Sequence, residues 1–209
     1  MNIIRKPFRY RYDNAVLVLI GLNLLFFLIQ NLFQNATAYL SLNTLTVMYG
    51  NAYWQFFSYM FAHGSVSHLL LNMLGLFFFG THVERQMGSK EFILFYMVTG
   101  FLAGVFSFLF YLVTGAHYVR LLGASGAIFA VQLAYSTFFP DSLVYFWGII
   151  PLRASVMVLG FTAISIFSSL FGFNSGVAHL THLAGFGFAW VYFLVRFGAN
   201  PWKSLTGKQ

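Results

Sequence analysis

Six stretches of this chain, at about 16–34, 66–83, 92–114, 122–139, 154–171 and 177–197, are apolar over close to the length a helix needs to cross a bilayer. Lipid offers no water to free N–H and C=O groups, so each stretch is expected to be a helix and not a strand. Only 7% of the 209 residues are charged, against 59% hydrophobic and 21% aromatic. A soluble domain averages roughly 25% charged, so this chain lacks the polar surface to cover itself in water. The expectation is an all-α polytopic membrane protein. Residues 1–15 form a basic N-terminus, 16–197 a single six-span domain and 198–209 a short tail. Gly, Ala and Ser recur in the last three spans, where they let helix backbones approach closely. The absence of cysteine excludes disulfides and thiolate chemistry. The net charge of +7 raises nucleic acid as a partner, but the basic residues cluster at span ends and not in an aromatic-laced patch.

The basic residues orient the spans. Arg5, Lys6, Arg9 and Arg11 precede the first; Arg85 and Lys90 lie between the second and third; Arg153 lies between the fourth and fifth; Arg196, Lys203 and Lys208 follow the sixth. Only Arg120 falls on the other face, so the expected location is a cell (inner or plasma) membrane with both termini cytoplasmic. The first span, with its basic flank and Ala36-Thr37-Ala38 triplet, is longer than a signal-peptide core and reads as a retained span. Residues 35–64 carry no charge and many aromatics, which favours a structured loop in the outer interface. That loop is either functional or a bland connector. No internal repeat supports an inverted-repeat transporter.

Within the apolar spans, a few polar side chains are costly enough to be candidates for function. His68 and Asn72 are four apart and share one helix face, either as donors to a developing oxyanion or as glue between helices. Gly123-Ala124-Ser125-Gly126 opens the fourth span. Its small residues suit packing, but a serine at a helix N-terminus also meets free backbone N–H groups. Phe129, four residues on, shares the serine's face and is placed to stack on an imidazole. His179 and His182 are three apart on one face of the sixth span. A metal would need an all-histidine site, so none is expected. A nucleophile type and a base type at a similar outer depth in one membrane domain suggest hydrolysis where water is scarce. By eye both histidines are candidate bases.

In chain order, several motifs resemble those of the rhomboid family of intramembrane serine proteases. They are His63-x4-His68-x3-Asn72, Gly80-Thr81-His82-Val83-Glu84-Arg85 with Gly88, and Tyr96 through Gly100 to Gly104. Gly123-Ala124-Ser125-Gly126 to Phe129 and Ala178-His179-Leu180-Thr181-His182-Leu183-Ala184-Gly185 complete the set. The resemblance covers the chain from about Trp54 to the end of the sixth span. It departs at Gln55, where the family usually has arginine after Trp54, and at Ala189, where the last helix often has glycine. It implies a six-helix rhomboid-like bundle with an interfacial first loop. Ser125 would be the nucleophile and His182, by its motif position, the base. Asn72, His68 and the Ser125 N–H would form the oxyanion hole, and His179, His63, Gly123 and Gly126 would support it. The implied partners are transmembrane substrates and the lipid bilayer, with no cofactor and no metal. Residues 172–176 are expected to act as a lid. A catalytically silent, client-binding relative and a histidine-relay transporter are the alternatives.

Overall fold

The computed structural model describes residues 5–6, 8–146, 149–171 and 176–206. All six apolar stretches are helical: α1 (Ala15–Leu32), α5 (Val66–Gly75) with α6 (Thr81–Met87), α7 (Ser89–Thr114), α8 (Ser125–Phe138), α9 (Ala154–Phe171) and α10 (Gly176–Tyr192). A π turn at Leu76–Gly80 joins α5 to α6 in one run, and a second at Phe193–Phe197 extends α10. Among the described residues, four helical runs are long and apolar enough to cross a membrane: Ala15–Leu32, Val66–Met87, Ser89–Thr114 and His179–Phe197. The chain is a mostly helical bundle of multi-pass membrane type. A short antiparallel hairpin, β1 (Leu143–Phe146) and β2 (Ile150–Arg153), is added between α8 and α9. Lipid-type side chains such as Leu17, Leu24 and Leu28 cover the outside of α1.

α8 is short because it is internal. Its 14 residues span about 21 Å, and most are buried against α7, α9 and α10. The small residues Gly126, Ala127, Ala130 and Ala134 allow that enclosure. The last helix, α11 (Pro201–Thr206), also packs on α8.

The first loop is an ordered brace of three short helices, α2 (Ala36–Leu40), α3 (Thr44–Gly50) and α4 (Gln55–Ser58), followed by a 3-10 turn at Tyr59–Phe61. Gln55, 1% exposed, is its hub. The Gln55 Oε1 accepts from the Asn43 N–H at 3.1 Å and the Thr46 hydroxyl at 2.7 Å. Its Nε2 donates to the Ala38 and Tyr39 carbonyls at 3.3 and 3.2 Å. A neutral amide thus meets both donors and acceptors where a guanidinium could only donate.

Two buried carboxylates tie the basic end. Glu84 accepts from the Ala15 and Val16 N–H groups at 2.6 and 3.0 Å and from the Ser89 hydroxyl, capping α1 and joining it to the start of α7. Glu91 takes Arg196 in a bidentate pair, both contacts at 2.7 Å, and also the Tyr192 hydroxyl. Glu84→Ala leaves two N–H groups at the start of α1 without an acceptor, at roughly 1–3 kcal/mol for each buried group. The expected result is a clearly lowered unfolding temperature in detergent, with Glu84→Gln less affected. Equal unfolding temperatures for wild type and Glu84→Ala would contradict this role.

Candidate active site

Ser125 is the first residue of α8, and the segment before it is hydrogen-bonded to the first loop. Leu42 and Leu121 exchange backbone hydrogen bonds at 2.9 Å each way. The Asn43 amide donates to the His117 and Val119 carbonyls at 2.9 and 3.0 Å. The Gly123 N–H donates to the Tyr59 carbonyl at 2.9 Å. Tyr59 is itself fixed, its hydroxyl donating to the Gly100 carbonyl at 2.6 Å while its ring fills the space at Gly104. Gly100 and Gly104 therefore serve α7 as a seat for the loop: a Cβ on Gly100 would lie 2.1 Å from Met60 Cε.

His182 approaches from α10. A Cβ on Gly185 would lie 2.1 Å from the Gly126 carbonyl oxygen, and one on Gly126 would lie 3.2 Å from Thr181 Cγ2. Gly185 is what lets the two backbones lie this close, since a Cβ there would collide with the α8 backbone. One turn before the crossing, His182 Nε2 lies 2.8 Å from Ser125 Oγ, within hydrogen-bond and proton-transfer reach. The Phe129 ring lies 4.1 Å from the imidazole and 10° from parallel to it. Phe186 packs edge-on against Phe129 at 5.2 Å. Thr181, beside His182, pairs with the Ser107 hydroxyl of α7 at 2.7 Å. Ala189, one turn past Gly185, is wholly buried and keeps its methyl.

α5 forms the opposite wall. Gly123 has φ +116°, a backbone few L-residues adopt, and a Cβ there would lie 2.8 Å from His68 Nε2 and 3.7 Å from Asn72 Nδ2. Both side chains thus face the turn that precedes the serine. Ser65 caps α5 by accepting the His68 N–H at 3.1 Å. The Gly64 N–H lies 3.5 Å from His68 Nδ1, a long contact that favours the tautomer with its proton on Nε2, toward Gly123. Asn72 Nδ2 is buried with no acceptor among the described residues. His63 lies behind His68, with ring centroids 5.1 Å apart. Burial, then the neighbouring His68, lowers the His63 pKa to about 4, which keeps the ring neutral.

The structure brings together Ser125, His182, Phe129, His68, Asn72 and Gly123, with His179 edge-on to His182 at 5.9 Å. Asp13, Glu84 and Glu91 serve the basic-end contacts, and Asp141 lies beyond the far end of α8 beside Arg153. No carboxylate therefore stands behind the imidazole. Among the described residues no three His, Cys, Asp or Glu side chains are grouped to hold a metal. The lid expected at 172–176 falls largely outside the described residues. Sequence reasoning missed Tyr59, Thr181 and Ser107, because ordinary residues in apolar surroundings give no local sign of what they touch.

A profile of the Rhomboid domain matches residues 50–199. RHOMBOID-like protein 4 of Arabidopsis thaliana is 30% identical over 146 residues, 69% of this chain and 34% of that protein. Putative rhomboid protease YdcA of Bacillus subtilis is 28% identical over 135 residues, 64% of this chain and 62% of that protein. Rhomboid protease GluP of the same organism is 38% identical over 77 residues, 37% of this chain and 14% of that protein. The matched part of this chain spans about a third of the length of the Arabidopsis relative. The Rhomboid match takes in α5, α8 and α10 with every side chain of the Ser125–His182 cluster, and the chain belongs to the rhomboid family.

Proposed function

We propose that this chain is an intramembrane serine endopeptidase that cleaves transmembrane segments of other proteins with a Ser125–His182 dyad. The observation that carries the reading is the 2.8 Å contact between His182 Nε2 and Ser125 Oγ, inside a bundle of apolar helices. In the attack step His182 Nε2 takes the Ser125 hydroxyl proton as Oγ bonds to the scissile carbonyl carbon. The carbonyl oxygen becomes an oxyanion, met by the Ser125 N–H at the start of α8, by Asn72 Nδ2 and by His68 Nε2. The imidazolium then gives its proton to the leaving amine, and the C–N bond breaks. Water, activated by the same imidazole, releases the acyl group from Ser125. With no acid to orient it, the ring relies on the Phe129 stack and on the α8–α10 crossing.

The distribution of Lys and Arg supports six spans across 16–197, both termini cytoplasmic, and a site opening toward the outer face of an inner or plasma membrane. Sideways access is supported by an apolar groove of about 590 Å³ that α5 and α9 line together with α8, the π turn and β1. A substrate helix must unwind locally to reach Ser125, so helix-weakening residues near the cut favour cleavage.

Purified Ser125→Ala and His182→Ala are expected to lose cleavage of a model transmembrane substrate, with His179→Ala retaining more than His182→Ala; unchanged cleavage by Ser125→Ala sinks the assignment. Asn72→Ala should lower kcat by roughly 10²–10³-fold, the usual loss for one oxyanion donor. A kcat within a few-fold of wild type would make Asn72 a packing residue. Gly185→Val should separate α10 from α8 and abolish both cleavage and fluorophosphonate labelling of Ser125. Normal labelling of that variant would show that the crossing does not set the dyad.

A further inference from the structure

Below the dyad, α8 carries a polar side chain that the reaction does not use. Gln132 is seven residues after Ser125, so Ser125, Phe129 and Gln132 share one helix face, with Gln132 about 10 Å deeper. It is 8% exposed, and its Oε1 is buried with no donor among the described residues. Gln132 lines the groove described above, whose walls include Leu71 and Leu74 of α5 and Met157 and Phe161 of α9. Phe161 lies 6.3 Å from Phe129, so the upper end of the groove meets the stack that holds His182. Two other polar groups of the groove are engaged. His82 Nδ1 pairs with the Phe78 carbonyl at 2.8 Å, and the Tyr135 hydroxyl accepts from Ser142 at 3.1 Å.

A carboxamide in the wall of an apolar groove, its oxygen met by no donor among the described residues, is costly, and a groove occupant that carries a hydrogen-bonding side chain would pair with that amide. A lipid acyl chain fits the apolar walls but carries no donor at that depth. A protein helix carries both. We propose that Gln132 is a specificity-determining contact: a substrate helix in the groove presents a hydroxyl or carboxamide side chain to the Gln132 amide, and this pairing sets which register reaches Ser125. The proposal rests on the protease reading above. The separation of about 10 Å corresponds to roughly three residues of extended chain or seven of helix. The preferred polar residue therefore lies about three to seven positions from the scissile bond, toward the cytoplasmic end of the substrate.

The test uses the full chain in phosphatidylcholine vesicles, with active sites counted by fluorophosphonate labelling. Its substrate helix is leucine and alanine below the cut except for one asparagine, walked one position at a time toward the cytoplasmic end. Wild type is expected to show a peak in kcat/KM, about three- to fifteen-fold above the all-apolar substrate, within the stated window. In Gln132→Leu, and in Gln132→Met as the variant closest in shape, that ratio falls to about one, the value for no amide to pair with. A flat wild-type profile, or a peak that persists in both variants, overturns the proposal while cleavage itself leaves the protease reading standing. A wild-type chain that neither labels nor cuts any of these substrates overturns both.

Discussion

The close crossing of α8 and α10 at Gly126 and Gly185 is the constraint on which the site depends. With no Cβ on Gly185, the α10 backbone lies on the α8 backbone at Gly126, and His182 comes within a hydrogen bond of Ser125. A side chain of any size at Gly185 would meet a carbonyl oxygen, a rigid obstacle that cannot turn aside as a side-chain end can. Helix association in lipid has little hydrophobic force behind it, so such close contact is itself a large part of what holds the helices together. The Ser107–Thr181 hydroxyl pair adds a polar tie from α7 at the same level.

The first loop completes the arrangement from the other side. α8 begins inside the protein, and its N-terminal turn would otherwise be a free end. The Leu42–Leu121 exchange, the Asn43 amide and the Tyr59 carbonyl make that turn part of the loop's own hydrogen-bond framework. Tyr59 and Met60 in turn sit on the two α7 glycines. Gln55 shows how a departure from the family pattern is absorbed: its amide satisfies two donors and reaches two carbonyls, so the loop closes without the arginine charge.

The acids are equally informative by where they sit. Glu84 and Glu91 are buried, yet each is matched by N–H groups, hydroxyls or a guanidinium, as buried carboxylates must be. They hold the basic end together, far along the helices from Ser125. At the other end the orienting influence on His182 is apolar: a parallel aromatic ring, itself wedged by Phe186. Packing can fix a ring's orientation with no charge taken into the bilayer, which is the cheaper solution where desolvation costs are high.

Much of the architecture is legible in the sequence because lipid imposes it. Length and apolarity place the helices, as the agreement of Ala15–Leu32, Ser89–Thr114 and Ala154–Phe171 with the apolar runs illustrates. Helical periodicity puts His68 with Asn72, and Ser125 with Phe129, on shared faces. The hairpin at Leu143–Arg153 was not legible, since its strands are short and lie in a connection without strict alternation. Nor was the role of Tyr59, or the burial of Gln132 Oε1 away from any donor among the described residues. Which residues are helical, and which polar groups fall inside apolar helices, can be read from the amino-acid order alone, because both follow from local composition and a 3.6-residue period. Which of those groups meet is a matter of packing, because the distances among α5, α8 and α10 are set by contacts between residues far apart in the chain.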